Sequence, residues 1–239
     1  MRGFISVFKR ELRSYFSTPL AYVFLVVFLL ASSFMVFQKN FFEMRQASMW
    51  VFFDGMPLLF IFLVPALAMR LWAEERKQGT MEVLLTLPAR DHELVVGKFL
   101  ASWVLLATGL ALTLVLPFTV AGLGNLDWGP VIGGYAGALL LGAGYLAVGQ
   151  FVSSTTENQI LAFILALVIC VALYGLGAET FASLFPDRTA ALLRAIGTGA
   201  RFESIARGVI DLRDVVYYLS LTGFFLAACI GSLHARRWA

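Results

Sequence analysis

Polar residues interrupt this chain rarely, and they come in blocks. Between the blocks lie six apolar stretches, near residues 19–37, 56–72, 99–123, 131–152, 160–178 and 215–233. Each is close to the roughly 20 residues with which a helix crosses a hydrocarbon core. Lipid offers the backbone no hydrogen bonds, so such stretches are expected as helices that satisfy their own. Apolar character runs back before the second stretch through Trp50, Val51, Phe52 and Phe53, so that span can begin earlier. Pro65 and Pro117 each remove an N–H and are expected to distort the second and third helices. Ahead of the first stretch, Phe4, Val7, Phe8, Leu12, Tyr15 and Phe16 are interleaved with Lys9, Arg10, Glu11 and Arg13. That spacing predicts an amphipathic helix lying in the membrane interface; the same residues also suit a plain charged leader that sets topology. The expected fold class is an all-α integral membrane protein with six transmembrane helices. Residues 1–18 form the interfacial helix and 19–239 the six-helix domain.

Two polar connections stand out, 73–98 and 179–214. The first contains the most charged short run of the chain, E-E-R-K-Q-G-T-M-E-V-L-L-T-L-P at 74–88. A helix leaving the second span can end at Gly79, the residue suited to the left-handed position past a helix C-terminus. Thr80 then serves as N-cap of a short helix, with Glu82 in its first turn, where the helix dipole favours a carboxylate. Pro88 stops it. Met81, Leu84, Leu85 and Pro88 give this helix an apolar stripe at i, i+3, i+4, i+7. In the second connection, 190–196 and 202–207 read as short amphipathic helices separated by Gly197 and Gly199, either a lid or re-entrant pair or a simple interfacial connector. Asp211 is the expected N-cap of the last span. Gly133 and Gly137 in the fourth span permit close helix approach, expected within one subunit rather than between subunits.

Composition agrees with lipid as the solvent. Hydrophobic residues make up 60% of the 239 and charged residues 14%, with a mean hydropathy of +0.84. A soluble domain is nearer half apolar and a quarter charged. Of the 18 Lys and Arg, eleven fall in the leader, between spans two and three, or at the C-terminal end, so both termini are expected in the cytoplasm. The net charge of +3 then reports cytoplasmic Lys and Arg, with no nucleic-acid partner expected. Cys170 and Cys229 lie within apolar stretches and are expected as core residues. The first residues are not expected to form a cleavable signal.

No catalytic or metal-binding constellation is expected. The chain lacks G-xxxx-G-K-[ST], H-E-xx-H and G-x-S-x-G, and Gly97-Lys98-Phe99 has only the tail of the first. Titratable groups are scarce in the middle of the stretches, unlike proton-coupled carriers and intramembrane proteases. A chain without an energy source of its own can still do work if a partner pushes on it, and the capped 80–88 helix suits that contact.

Three runs resemble one family. E-E-R-K-Q-G-T-M-E-V-L-L-T-L-P followed by Val96-Gly97-Lys98-Phe99 looks like the coupling region of type-2 ABC transporter permeases. The leader from Phe8 to Leu20, and Phe202 to Asp214 before the last span, are similar to the corresponding parts of the same family. Within that family the chain resembles the permeases associated with gliding motility and their relatives in nitrous-oxide-reductase maturation. The resemblance implies a dimer, with the same or a different permease subunit, in a bacterial inner membrane. Two ATPase subunits beneath it would hold ATP and Mg, so no cofactor belongs to this chain. It implies that Thr80 to Pro88 docks on the ATPase, with contacts from Glu75, Thr80, Met81, Glu82, Leu84, Leu85, Leu87 and Pro88. It also implies a pathway along spans two and five. The expected function is export coupled to ATP hydrolysis; mechanical transmission to a periplasmic partner, or a lipid-modifying enzyme, are the alternatives.

Overall fold

The computed structural model describes residues 2–38, 48–81, 90–178 and 185–237. Among these residues the chain is helical without strands. In order the helices are α1 (Arg2–Ser17), α2 (Pro19–Gln38), α3 (Trp50–Ala68), α4 (Arg70–Lys77), α5 (Asp91–Leu112), α6 (Val115–Leu123), α7 (Trp128–Thr155), α8 (Gln159–Leu176), α9 (Asp187–Ile196), α10 (Thr198–Ala206) and α11 (Leu212–Arg237). Six are long and apolar enough to cross a membrane once α3 with α4, and α5 with α6, are each taken as one span.

Spans two and four form the centre. About 72% of the second span's apolar window and 67% of the fourth's is buried, against 17% for the fifth and sixth. The outer helices therefore keep apolar side chains such as Leu30, Ile164 and Phe224 exposed, as a lipid solvent allows. The fourth span reaches its neighbours through glycine. A Cβ on Gly149 would sit 2.5 Å from Ala68 Cβ, and one on Gly134 would sit 2.6 Å from the Phe53 ring. The expected Gly133–Gly137 seam is used within the subunit. Its partner is α10, since a Cβ on Gly133 would lie 2.5 Å from the Ile205 carbonyl oxygen.

The helices α9 and α10 meet in a one-residue turn at Gly197 and so form a hairpin. Of the two, α10 is packed into the bundle through Thr198, Phe202 and Ile205, whereas α9 keeps most of its side chains exposed. α8 has 18 residues and α7 has 28, so at about 1.5 Å per residue α8 stops some 15 Å short. Gly197, at the hairpin tip, rests on Gly177 at the end of α8, where a Cβ would have no room. Buried hydroxyls fix the tip. Tyr145 and Thr198 share a hydrogen bond of 2.9 Å, and Tyr218 donates to the Thr198 carbonyl at 2.8 Å. Arg201 pairs with Asp214 at 2.8 Å and lies over the Tyr217 ring at 4.4 Å. These contacts hold the start of α10 against α7, α8 and α11. Asp211 caps α11 as expected, accepting from the Arg213 N–H at 2.9 Å.

The two prolines expected to distort their helices behave differently: Pro65 leaves its helix unbroken, whereas the third span does break four residues before Pro117. Helix α3 continues through both Pro57 and Pro65, and the second span is interrupted instead at Met69. In the third span the break falls at Thr113 and Leu114, where Pro117 would otherwise bond to the Thr113 carbonyl. Leu116 donates to that carbonyl at 2.9 Å instead.

Gly133→Ala is expected to lower thermal stability in detergent by about 1–3 kcal/mol, the usual cost of overpacking. Gly223→Ala, where a Cβ meets nothing within 4 Å, is expected to leave the melting midpoint unlowered. Equal midpoints for the two variants would contradict the glycine seam.

Candidate functional site: the joint at the root of the 80–88 segment

Both ends of the described chain lie at one end of the bundle, where Val7 packs on Gly97 and His234 lies 3.3 Å from Asp91. The second span ends there as α4. Gly79 follows with a φ of 68°, so the left-handed turn expected of it is present. Helical backbone resumes at Thr80 and Met81. Thr80 is the first helical residue rather than the expected cap. Its hydroxyl donates back to the Glu75 carbonyl at 3.3 Å and so closes the preceding helix. Met81 is buried against the core. Glu82, Leu84, Leu85, Leu87 and Pro88 lie outside the described residues.

Glu75 belongs to an ion cluster centred on Lys98, which no local pattern in the sequence signals. Lys98 Nζ donates to Glu75 Oε1 at 2.9 Å and to Glu11 Oε1 at 3.2 Å. Its side chain is only 3% exposed, and the Trp72 ring centroid lies 5.0 Å away. Arg10 adds a hydrogen bond to Glu11 at 2.8 Å and approaches Glu75 at 3.8 Å. One turn further on, Tyr15 and Ser102 share a hydrogen bond of 2.8 Å. Glu11 and Tyr15 thus meet Lys98 and Ser102 as matched i, i+4 pairs, which fixes α1 along α5. Burial pushes the Glu11 carboxyl up, but the Lys98 ammonium and Arg10 outweigh it and hold the group below its ordinary value of 4.5.

The interruption at Met69 has a specific cause. The Ser153 hydroxyl accepts from the backbone N–H groups of Trp72 and Ala73, both at 3.1 Å, and donates to the Met69 carbonyl at 2.7 Å. A side chain from the fourth span has entered the ladder of the second, an established way to break a helix. Next to it, Arg76 donates to the Ser154 carbonyl at 3.3 Å and pairs with Glu157 at 3.0 Å. α4 is therefore held by α1 and α5 on one side and by the end of α7 on another.

By the apolar pattern alone, Lys98 falls just outside the third span. It lies seven residues inside a helix that begins at Asp91, with the Arg90 N–H bonded to Glu93 Oε2 at 3.3 Å. The acidic first turn Asp91-His92-Glu93 was the available signal for that earlier start.

Two cavities flank this frame. One, of about 480 Å³, lies between α1 and α4 at the joint. The other, of about 660 Å³, lies at the far end between α3, the end of α8 and the hairpin, with Trp50, Phe53, Asp54, Tyr174, Phe202 and Arg207 in its walls.

Lys98→Met would leave two partly buried carboxylates without their cation, and is expected to cost roughly 3 kcal/mol, measured by thermal unfolding in detergent. Because the folded Glu11 pKa is depressed, its contribution is full above pH 4.5 and is lost as pH falls through the folded value. Wild type is therefore expected to melt higher than Glu11→Gln at neutral pH and to converge with it in acid. A gap that persists unchanged below that window would contradict the cluster.

No curated protein matches this chain in sequence. Residues 5–186 match the family described as ABC-2 family transporter protein, a match that takes in α1, the first five spanning helices and the whole joint. The chain therefore belongs to the ABC-2 transporter family and is a membrane permease component of an ABC transporter.

Proposed function

We propose that the 80–88 segment docks on a separate ATPase subunit, and that the joint carries the ATPase's motion into the second span. The ion cluster supports this reading most directly. A segment that only rested on lipid would not need its root tied to three other helices. Glu75, Thr80 and Met81 belong to the rigid root. Glu82, Leu84, Leu85, Leu87 and Pro88 supply the contact surface, its apolar stripe covered by the ATPase.

On this reading the end that carries the joint and both termini is cytoplasmic, and α1 lies in the interface of a bacterial inner membrane. ATP and Mg are held by the ATPase. The permease works as a dimer, with the same or a different partner, and moves its substrate outward. The far-end cavity beneath the hairpin, with aromatic walls and a charged rim, suits the release of an amphiphilic substrate. The resemblance of the chain to permeases of gliding motility and nitrous-oxide-reductase maturation supports reading it as a member of that subgroup.

Co-purification with the ATPase tests the docking. Leu84→Glu is expected to reduce ATPase recovery by about tenfold, a loss of roughly 1.4 kcal/mol, without changing helical content. Recovery equal to wild type would remove the 80–88 segment from the docking surface.

A further inference from the structure

The cavity at the joint is larger than the ion cluster needs. At about 480 Å³ it falls within the roughly 300–1,000 Å³ typical of small-molecule sites. Its walls carry three cations, Arg10, Arg70 and Lys98, and three carboxylates, Glu11, Glu74 and Glu75. Lys98 is consumed within the cluster, but Arg10, Arg70 and Glu74 keep 48%, 27% and 31% of their side chains accessible. Arg70 and Glu74 pair with each other at 2.8 Å and Arg10 bonds Glu11 at 2.8 Å, but these three side chains are exposed enough to exchange those contacts for the charges of a ligand.

The position of the cavity says which ligands can reach it. Thr18 is on its wall and Pro19, the next residue, starts the first spanning helix. The cavity therefore sits where hydrocarbon gives way to headgroups. From that level α2 leads away with Tyr22, Val26 and Leu30 exposed, spaced four apart along one side. A charged cavity stands at the head of an apolar stripe, which matches the two ends of a phospholipid.

We propose that this cavity binds the headgroup of a phospholipid with a phosphate and a primary ammonium, of the phosphatidylethanolamine class. The phosphate lies toward Arg10 and Arg70, and the ammonium toward Glu74 and Glu75. Charge selects the headgroup. An anionic headgroup would bring its excess charge against three carboxylates, and a purely cationic one would meet three cations. A zwitterion places each charge beside its opposite. A primary ammonium also has three N–H donors for carboxylate oxygens, whereas a choline nitrogen has none. Bound there, the lipid would bridge α1 and α4. The inference requires that the six helices cross a membrane and is independent of what docks on 80–88.

The test uses the full chain reconstituted in vesicles with equal parts of phosphatidylethanolamine, phosphatidylcholine and phosphatidylglycerol, then extracted for native mass spectrometry. Wild type is expected to retain phosphatidylethanolamine several-fold over the other two. Ser14→Trp fills the cavity from an exposed wall position outside the ion cluster and is expected to abolish the enrichment. Glu74→Lys makes the lining cationic and is expected to shift retention toward phosphatidylglycerol. Retention in proportion to vesicle composition, or enrichment that survives both variants, would overturn the proposal. So would saturable binding of soluble O-phosphoethanolamine as tight as that of the lipid, which would assign the cavity to a free metabolite.

Discussion

A buried ammonium is the constraint around which one end of this protein is built. An uncompensated Lys98 side chain at 3% exposure would be costly in a low-dielectric setting, so it must be met by carboxylates. Glu11 and Glu75 meet it, and they come from helices far apart in sequence. The requirement to neutralise one charge therefore sets the position of α1, the register of α1 on α5 and the direction in which α4 leaves the bundle. The Trp72 ring closes the remaining side with a cation–π contact.

The same end contains a controlled weakness. Ser153 replaces backbone partners at the point where α3 becomes α4, so the second span is two rods joined by a hydroxyl. Hydroxyl contacts can be exchanged more readily than a continuous helical ladder, while Arg76 and Glu75 keep the short rod aligned. Above the joint the parts are close-packed. Gly149 against Ala68, Gly134 against Phe53 and Gly133 against Ile205 leave no slack for a side chain. Displacement at the joint would thus reach α10 through rigid contacts rather than be absorbed on the way.

Much of this was legible in sequence because it follows from periodicity and punctuation. Six apolar stretches became six spans, Gly79 took its left-handed turn, Asp211 capped the last helix, and Gly133 and Gly137 packed within the subunit. The misses have a common physical origin. Lys98 reads as a topology-setting charge until Glu11 and Glu75 are known to converge on it across long sequence separations. Pro65 is a local signal and reads as the point where the second span distorts, whereas Ser153, which interrupts it at Met69, acts from another helix. Thr80 has the residue type of a cap, but tight closure of α4 draws its hydroxyl backward. Local chemistry was readable, and long-range partners were not.

The central claim is that Lys98 and Glu75 act as one unit in transmitting work from the ATPase. A double-mutant cycle tests it, with Lys98→Met, Glu75→Gln and the combined variant reconstituted with the ATPase subunit and read as permease-stimulated ATP hydrolysis. The account predicts strong non-additivity, the double variant being no worse than Lys98→Met alone, with an interaction energy of about 1–3 kcal/mol. Effects that simply add would mean that the two residues act separately and that the ion cluster is not the transmitting joint.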